Sequence, residues 1–218
     1  MVGMKSDMAG AAGMLAAFEG AAALSSPNRI YLLLCLAENA INAGAFRNDD
    51  ILKLFSGKFV EINNTDAEGR LVLGDGVAHA SKLLKPDLII DMATLTGAQL
   101  VTTGKNHAAI MSNGDEWENR MIEAGRHSGD LCFPIIYAPE FYRGEFKSKV
   151  ADMKNSVKDR MNAQSSCAGT FVGEHLAPDY VENGGGWVHI DMAGPSTKEE
   201  RGTGFGAGLL LSIAGAVP

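Results

Sequence analysis

Cysteine is scarce: Cys35, Cys132 and Cys167 are an odd number at wide spacing, which excludes a disulfide framework and the paired CxxC spacing of a zinc site. Basic runs are absent as well. Lysine and arginine number 19 against 26 acidic residues, a net charge of -7, and nowhere do they form a phosphate-binding stripe, so no nucleic acid partner is expected. No apolar stretch reaches the roughly twenty residues needed to cross a bilayer. Residues 9–24 are interrupted by Glu19 and by glycines, and residues 204–218 are shorter still, so no membrane association is expected. Residues 1–14 carry Lys5 and then Asp7 and lack the unbroken apolar core of a secretion signal, which makes the expected localisation cytoplasmic. Internal repeats, low-complexity tracts and proline-rich linkers are also missing, so residues 1–218 are expected to form one domain.

What remains is the composition of a compact α/β domain, or of part of a larger protein. The chain has 218 residues, 46% hydrophobic and 21% charged, with 26 glycines. Such a chain buries roughly 70% of its unfolded surface without covalent staples. Apolar spacing predicts a buried helix over 9–24, stopped by Ser25, Ser26, Pro27 and Asn28, and another over 71–84, closed by Lys85 and Pro86. Residues 117–127 read as a surface helix and 206–214 as a C-terminal helix. Apolar runs of strand length lie at 30–36, 58–62, 88–93, 108–111 and 188–192. This alternation predicts the α/β class: a mostly parallel central sheet with helices on both faces, three-layer α/β/α. Functional residues in such sheets collect beyond the carboxyl ends of strands, so the loops after Ile62, Ala93 and Ile190 are where chemistry is expected.

The first of these loops reads Asn63, Asn64, Thr65, Asp66, Ala67, Glu68, Gly69, Arg70. Two carboxylates one residue apart can converge on a hard cation, because their oxygens suit Mg, Mn or Zn. Arg70 is close enough in sequence to hold an anion through its planar donor fork. An ordinary acidic turn with a surface salt bridge is the competing reading of a bare DxExR pattern. His189 and Asp191 alternate on a strand and read as structural. His79, His107, His127 and His175 lack ligand spacing, the last two on expected surface helices. Cys167 reads as a small packing residue at a helix start rather than a nucleophile. The glycines of 202–208 have neither the preceding strand nor the following lysine of a phosphate loop.

The longer stretch NTDAEGRLVLGDG, which opens at Asn64, resembles the signature of the leucine aminopeptidase (cytosol aminopeptidase) family of two-metal exopeptidases. KSDMAGAAGM at 5–14, DMATLTGA at 91–98, ADMKNS at 151–156, SSCAGTF at 165–171 and WVHIDMAG at 187–194 match further blocks of that family in the same order. The resemblance implies that Asp7 binds one metal and that Asp66 and Glu68 bind across both. It implies that Arg70 holds a bicarbonate ion acting as general base, cradled by the backbone around Gly69 and Leu95. Met4, Asn64, Thr94 and Ala193 fall where the family lines its substrate cleft. The implied cofactors are two divalent metal ions, Zn or Mn, with Mg or Co accepted. The implied reaction is hydrolysis of peptide substrates by a metal-activated water whose pKa falls from 15.7 to about 7, releasing leucine-like N-terminal residues. The family also implies a homo-oligomer, a hexamer.

Family members carry, just before the segment matching KSDMAG, a strand followed by a lysine and an aspartate that bind metal, then a second lysine, and an N-terminal domain upstream. The sequence at hand opens at Met1 without them. It is therefore expected to be an N-terminally incomplete catalytic domain, with a catalytically incomplete fragment or pseudoenzyme acting through assembly with other subunits as the alternative.

Overall fold

The computed structural model describes residues 2–217. In chain order its elements are α1 (Ala9–Ala23), β1 (Ile51–Lys53), β2 (Phe59–Glu61), α2 (Gly69–His79), β3 (Leu88–Ala93), α3 (Gln99–Thr102), β4 (Ala108–Ser112), α4 (Asp115–Ser128), β5 (Cys132–Pro134), α5 (Pro139–Tyr142), β6 (Met153–Lys154), α6 (Gln164–Gly173), α7 (Pro178–Glu182), β7 (Gly186–Asp191), β8 (Thr197–Lys198), β9 (Arg201–Gly202) and α8 (Ala207–Ile213). The α/β class expected from the sequence is observed. Two compact units are distinguished: Met1–Leu34, Ile90–Ile135 and Val188–Pro218 form one, Cys35–Ile89 and Ile136–Trp187 the other.

The first unit contains a sheet in the order β3-β7-β4-β5. Strand β4 runs antiparallel to β7, with Ile110 opposite Ile190, and parallel to β5, with Ala108 opposite Cys132. Residues 108–111 are buried on both faces, which is why they read as a continuous apolar run rather than an alternation. Helix α4 packs on α8, and α8 on α1. Acids in the first turn of α4 and Arg126 with His127 in its last turn complement the helix dipole. It stops at Gly129, whose φ of 84° suits glycine. The entry to α8 is capped from outside: Asp130 Oδ2 accepts the amides of Gly206 and Leu209, each at 3.1 Å.

Helix α1 buries Gly10, Gly13, Ala17 and Ala21, a stripe of small residues three and four apart. Its smallness is required by backbone contact. A Cβ at Gly10 would sit 2.4 Å from the carbonyl oxygen of Met92, and one at Gly13 would sit 2.6 Å from that of Phe205.

In the second unit β1 and β2 form an antiparallel hairpin, Leu52 opposite Val60, and β2 pairs in parallel with β6, Val60 opposite Met153. Helix α2 packs on α6. Leu54, Val60, Ile62, Leu71, Phe146 and Phe171 form one cluster, and Val77, Ile89, Val172 and Trp187 belong to another. Residues 165–172 of α6 are all buried. A helix buried all round has no polar face, so no 3.6-residue pattern announces it in the sequence. The helix expected over 71–84 is α-helical to His79 and continues as a π turn, Ala80–Leu84. There the Ser81 hydroxyl donates to the Val77 carbonyl at 2.7 Å and accepts the Ala177 amide at 2.9 Å. Lys85, at φ 46°, ends it.

Three expectations differ from the structure. Strand directions are mixed rather than mostly parallel: β4 with β5 and β2 with β6 are parallel, β4 with β7 and β1 with β2 antiparallel. Element alternation says which segments are strands and little about the direction in which each joins. Residues 30–36 form no strand, and Tyr31, Leu33, Leu34 and Leu36 are exposed. An apolar run reports a tendency to bury, whereas a strand also needs the regular ladder of backbone partners, and no ladder is formed over 30–36. His175 lies just beyond α6 and is fully buried rather than on a surface helix.

The His175 ring packs on Phe171, and its Nδ1 is hydrogen-bonded with the Ser56 hydroxyl at 2.7 Å. Burial, and then the Lys58 ammonium, lower its pKa from 6.5 to about 4, against an opposite pull from Glu174.

Two outcomes follow from this packing. Gly10→Ala is expected to lower stability by about 1–3 kcal/mol, since backbone atoms cannot swing aside; thermal unfolding with an unchanged midpoint would contradict the contact. Because His175 is held neutral, the unfolded chain binds more protons between pH 6.5 and about 4, so stability falls as pH drops through that window. The loss is on the order of 3 kcal/mol at 1.36 kcal/mol per unit. Urea midpoints at pH 7 and 4.5 should show a shallower acid loss in His175→Gln than in the parent, and identical slopes would contradict the assignment.

Candidate functional site

In the second unit, the loop from β2 into α2 carries Asn64, Asp66, Glu68, Gly69 and Arg70. Asp66 is exposed, while Glu68 and Arg70 are half-buried. The loop turns on its own side chain first: Asn64 Oδ1 accepts the Asp66 amide at 3.0 Å, a local turn that asparagine forms readily. Its main support is Asn155, fully buried just after β6. Asn155 Oδ1 accepts the amides of Asn63 at 2.9 Å and Asn64 at 3.2 Å. Its Nδ2 donates to the carbonyls of Asn64 at 2.6 Å and Ala67 at 3.2 Å. Asn63 exchanges two further bonds with the Ser156 backbone, at 3.0 and 3.3 Å. Arg70 Nη1 donates to the Asn155 carbonyl at 3.1 Å, which fixes the guanidinium at the start of α2.

In the first unit, Met4 and Asp7 lie on a 3-10 turn, Met4–Met8, and both are exposed. The Thr94 hydroxyl, just after β3, donates to Asp7 Oδ1 at 2.6 Å. The loop beyond Thr94 hangs on the fully buried Asp191 of β7. Asp191 Oδ1 accepts the amides of Leu95 at 3.1 Å and Thr96 at 3.2 Å, and Oδ2 accepts the Thr96 hydroxyl at 2.5 Å. The Leu95 amide is thus engaged with Asp191. Burial pushes the Asp191 carboxyl upward, while His189 and the Thr96 and Leu95 donors act against that shift. His189 Nδ1 and Asp91 Oδ1 lie 2.5 Å apart, both buried, so both residues of the WVHIDMAG alternation are engaged inside the fold. Ala193, partly exposed, follows β7. Next to it Gly194 donates its amide to Gln99 Oε1 at 2.5 Å. Gln99 Nε2 in turn reaches Thr103 Oγ1, the Gly104 carbonyl and the His107 carbonyl at 2.7, 2.9 and 2.8 Å.

Part of the set expected from sequence therefore lies in each unit: Asn64, Asp66, Glu68, Gly69 and Arg70 on one loop of the second, and Met4, Asp7, Thr94, Leu95 and Ala193 on three segments of the first, of which Thr94 and Asp7 are in contact. The supports Asn155 and Gln99 were not legible as such. A single buried polar residue leaves no periodicity, and only the ADMKNS block draws attention to the first. The carboxylates of Asp66 and Glu68 suit a divalent cation in kind, as hard oxygen donors two positions apart on a fixed loop. In number they are a partial donor set: among the described residues, no group of three or more His, Cys, Asp or Glu is gathered as a metal cage. Cys167 is fully buried, as a packing residue would be. Burial first, and then Glu145, push its thiol to about 11 against the Arg70 guanidinium.

Residues 1–211 match the cytosol aminopeptidase family, catalytic domain. The probable aminopeptidase NPEPL1 of Homo sapiens is 54% identical over 215 residues, which cover 99% of this chain and 40% of that protein. Leucine aminopeptidase 1 of Caenorhabditis elegans is 46% identical over 216 residues, 99% of this chain and 43% of that one. Among solved structures, apo leucyl aminopeptidase from Trypanosoma cruzi superposes with a TM-score of 0.95 at 54% identity, over 99% of this chain and 42% of that chain. Leucyl aminopeptidase from Trypanosoma brucei in complex with bestatin gives a TM-score of 0.93 at 49% identity, over 97% and 40% respectively. The chain thus spans about 40% of the length of these relatives. Its likeness to them agrees with the α/β class, three-layer α/β/α, expected from the alternation of elements. By the match of residues 1–211, the chain belongs to the cytosol aminopeptidase family and carries sequence of its catalytic domain.

Proposed function

We propose that this chain supplies active-site residues of a metal-dependent aminopeptidase that releases N-terminal residues, leucine-like ones preferred, from peptides, and that residues 1–218 act as one catalytic domain. The observation that carries this reading is the Asp66–Ala67–Glu68 loop, fixed at the carboxyl end of β2 by Asn155 and followed at once by an anchored arginine. Two divalent cations, zinc or manganese with magnesium or cobalt accepted, would be the cofactors, with Asp66 and Glu68 as ligands in the second unit and Asp7 as a ligand in the first. When bound, such cations supply Lewis acidity and a water acidified toward neutral pH.

The remaining roles belong to the chain's own groups. Thr94, donating to Asp7 Oδ1, orients that carboxylate. Arg70 carries the positive charge that would hold a bicarbonate ion as general base, its guanidinium already aligned by the Asn155 carbonyl, with the backbone around Gly69 helping to cradle the anion. Leu95, its amide engaged by Asp191, would contribute through its other atoms. Met4, Asn64, Thr94 and Ala193 would line the substrate cleft. An apolar lining discriminates by only about 1–3 kcal/mol per methylene, so the preference for leucine would be broad. A cytoplasmic homo-oligomer, hexameric as in the resembling family, completes the proposal; the family's name and the motif resemblance support it.

The test is hydrolysis of leucine p-nitroanilide with Mn or Zn supplied and with chelator as control. Turnover should need the metal and should fall by more than about 100-fold in Asp66→Ala and in Glu68→Ala. Undiminished turnover in either variant would contradict the assignment.

A further inference from the structure

We infer that Asn155 is the positioning residue of the 63–70 loop, holding Asp66, Glu68 and Arg70 in the arrangement the reaction needs; the inference rests on the aminopeptidase reading. Its placement begins with the sheet. Strand β6 pairs in parallel with β2, Glu61 opposite Lys154, and the Asn155 amide donates to the Glu61 carbonyl at 3.0 Å. Asn155 is thereby set beside the carboxyl end of β2, where the loop departs.

A carboxamide has two N–H donors and two acceptor lone pairs. In Asn155 all four are spent on this one loop. Oδ1 takes the amides of Asn63 and Asn64 at its entry, and Nδ2 reaches the carbonyls of Asn64 and Ala67. Ala67 lies between the two carboxylates, so this last bond fixes the peptide from which both project. The Asn155 carbonyl then takes Arg70 Nη1 at 3.1 Å. One buried residue thus ties down the entry, the middle and the arginine of the loop while lying inside the fold rather than on the exposed side of Asp66.

Other side chains cannot repeat this. An aspartate keeps the acceptors but turns carboxylate oxygens toward the carbonyls of Asn64 and Ala67. A glutamine carries one methylene too many for a fully buried position. Groups that orient the carboxylates of a metal site change activity by about 10–100-fold when removed. A residue that places reacting groups without adding substrate affinity acts on kcat rather than KM.

The test uses Asn155→Ala and Asn155→Asp in the protein, read by amide hydrogen exchange and by hydrolysis of leucine p-nitroanilide with Mn supplied. In Asn155→Ala the amides of Asn63 and Asn64 should lose protection while those of residues 108–111 keep theirs, and kcat should fall about 10–100-fold with KM unchanged. Asn155→Asp should be impaired at neutral pH and recover relative to the parent as the pH is lowered, because the protonated carboxyl regains a donor for the Ala67 or Asn64 carbonyl. A mere packing role would give no such pH profile, and if Asn155→Ala fails to fold this profile alone decides. Retained protection at Asn63 and Asn64 in Asn155→Ala, or an Asn155→Asp pH profile parallel to the parent's, would overturn the inference. A parent protein inert toward the substrate, with the loop loosened in Asn155→Ala, would instead sink the aminopeptidase reading and leave the anchoring role of Asn155 standing.

Discussion

The parallel pairing of β2 with β6 is the constraint on which the candidate site depends. A parallel pair carries both chains past the same sheet end, so the loop leaving β2 and the residue leaving β6 emerge side by side. Only that juxtaposition lets one buried asparagine satisfy backbone groups that a turn of this shape would otherwise leave without partners. The two carboxylates then stand on a short peptide whose conformation does not depend on them. That separation of tasks matters chemically. Like charges two residues apart repel, and a loop held by neutral hydrogen bonds keeps them together without help from either carboxylate.

The first unit solves a similar problem with a buried acid. Asp191 sits on β7 with no exposed surface and gathers two amides and a hydroxyl from residues 95 and 96. A buried carboxylate is tolerable when donors surround it. The same loop begins with Thr94, whose hydroxyl reaches Asp7, so the order imposed from β7 extends to a residue of the KSDMAG motif. That motif's glycines have their own cause. Helix α1 lies so near Met92 and Phe205 that backbone oxygens occupy the space where side chains would be. What reads in the sequence as a functional signature is therefore in part a packing signature, with Gly10 and Gly13 spaced for close approach and Asp7 at the helix entry.

Much of this was legible from residues alone, and the reasons are physical. Strand β3 matches its expected run at both ends because a short stretch that is apolar but for Asp91, opening just after Pro86 and Asp87, has the length and composition of a strand. Helix α4 was legible over 117–127 from its interleaved acids and bases, and the structure extends it to Asp115 and Ser128. The 63–70 loop stood out as a candidate because carboxylates and an arginine in one short span are unusual side chains to concentrate. What stayed hidden were features whose cause lies far along the chain. Helix α6 is buried on every side and shows no polar face. The apolar run at 30–36 carries the composition of a strand and forms none. Asn155 lies about ninety residues from the loop it holds, and nothing local marks an asparagine that spends its amide on distant backbone.

The proposed function requires that Asp66 and Glu68 be cation ligands rather than an acidic turn on the surface. Carbon-detected NMR of the side-chain carboxyls during titration with Mg, and then with paramagnetic Mn, examines this without any assay of turnover. The Asp66 and Glu68 carboxyl signals should shift with Mg and broaden first with Mn, while the buried carboxyls of Asp91 and Asp191 respond later or not at all. Equal and weak broadening of every exposed carboxylate, with no preference for Asp66 and Glu68, would contradict it.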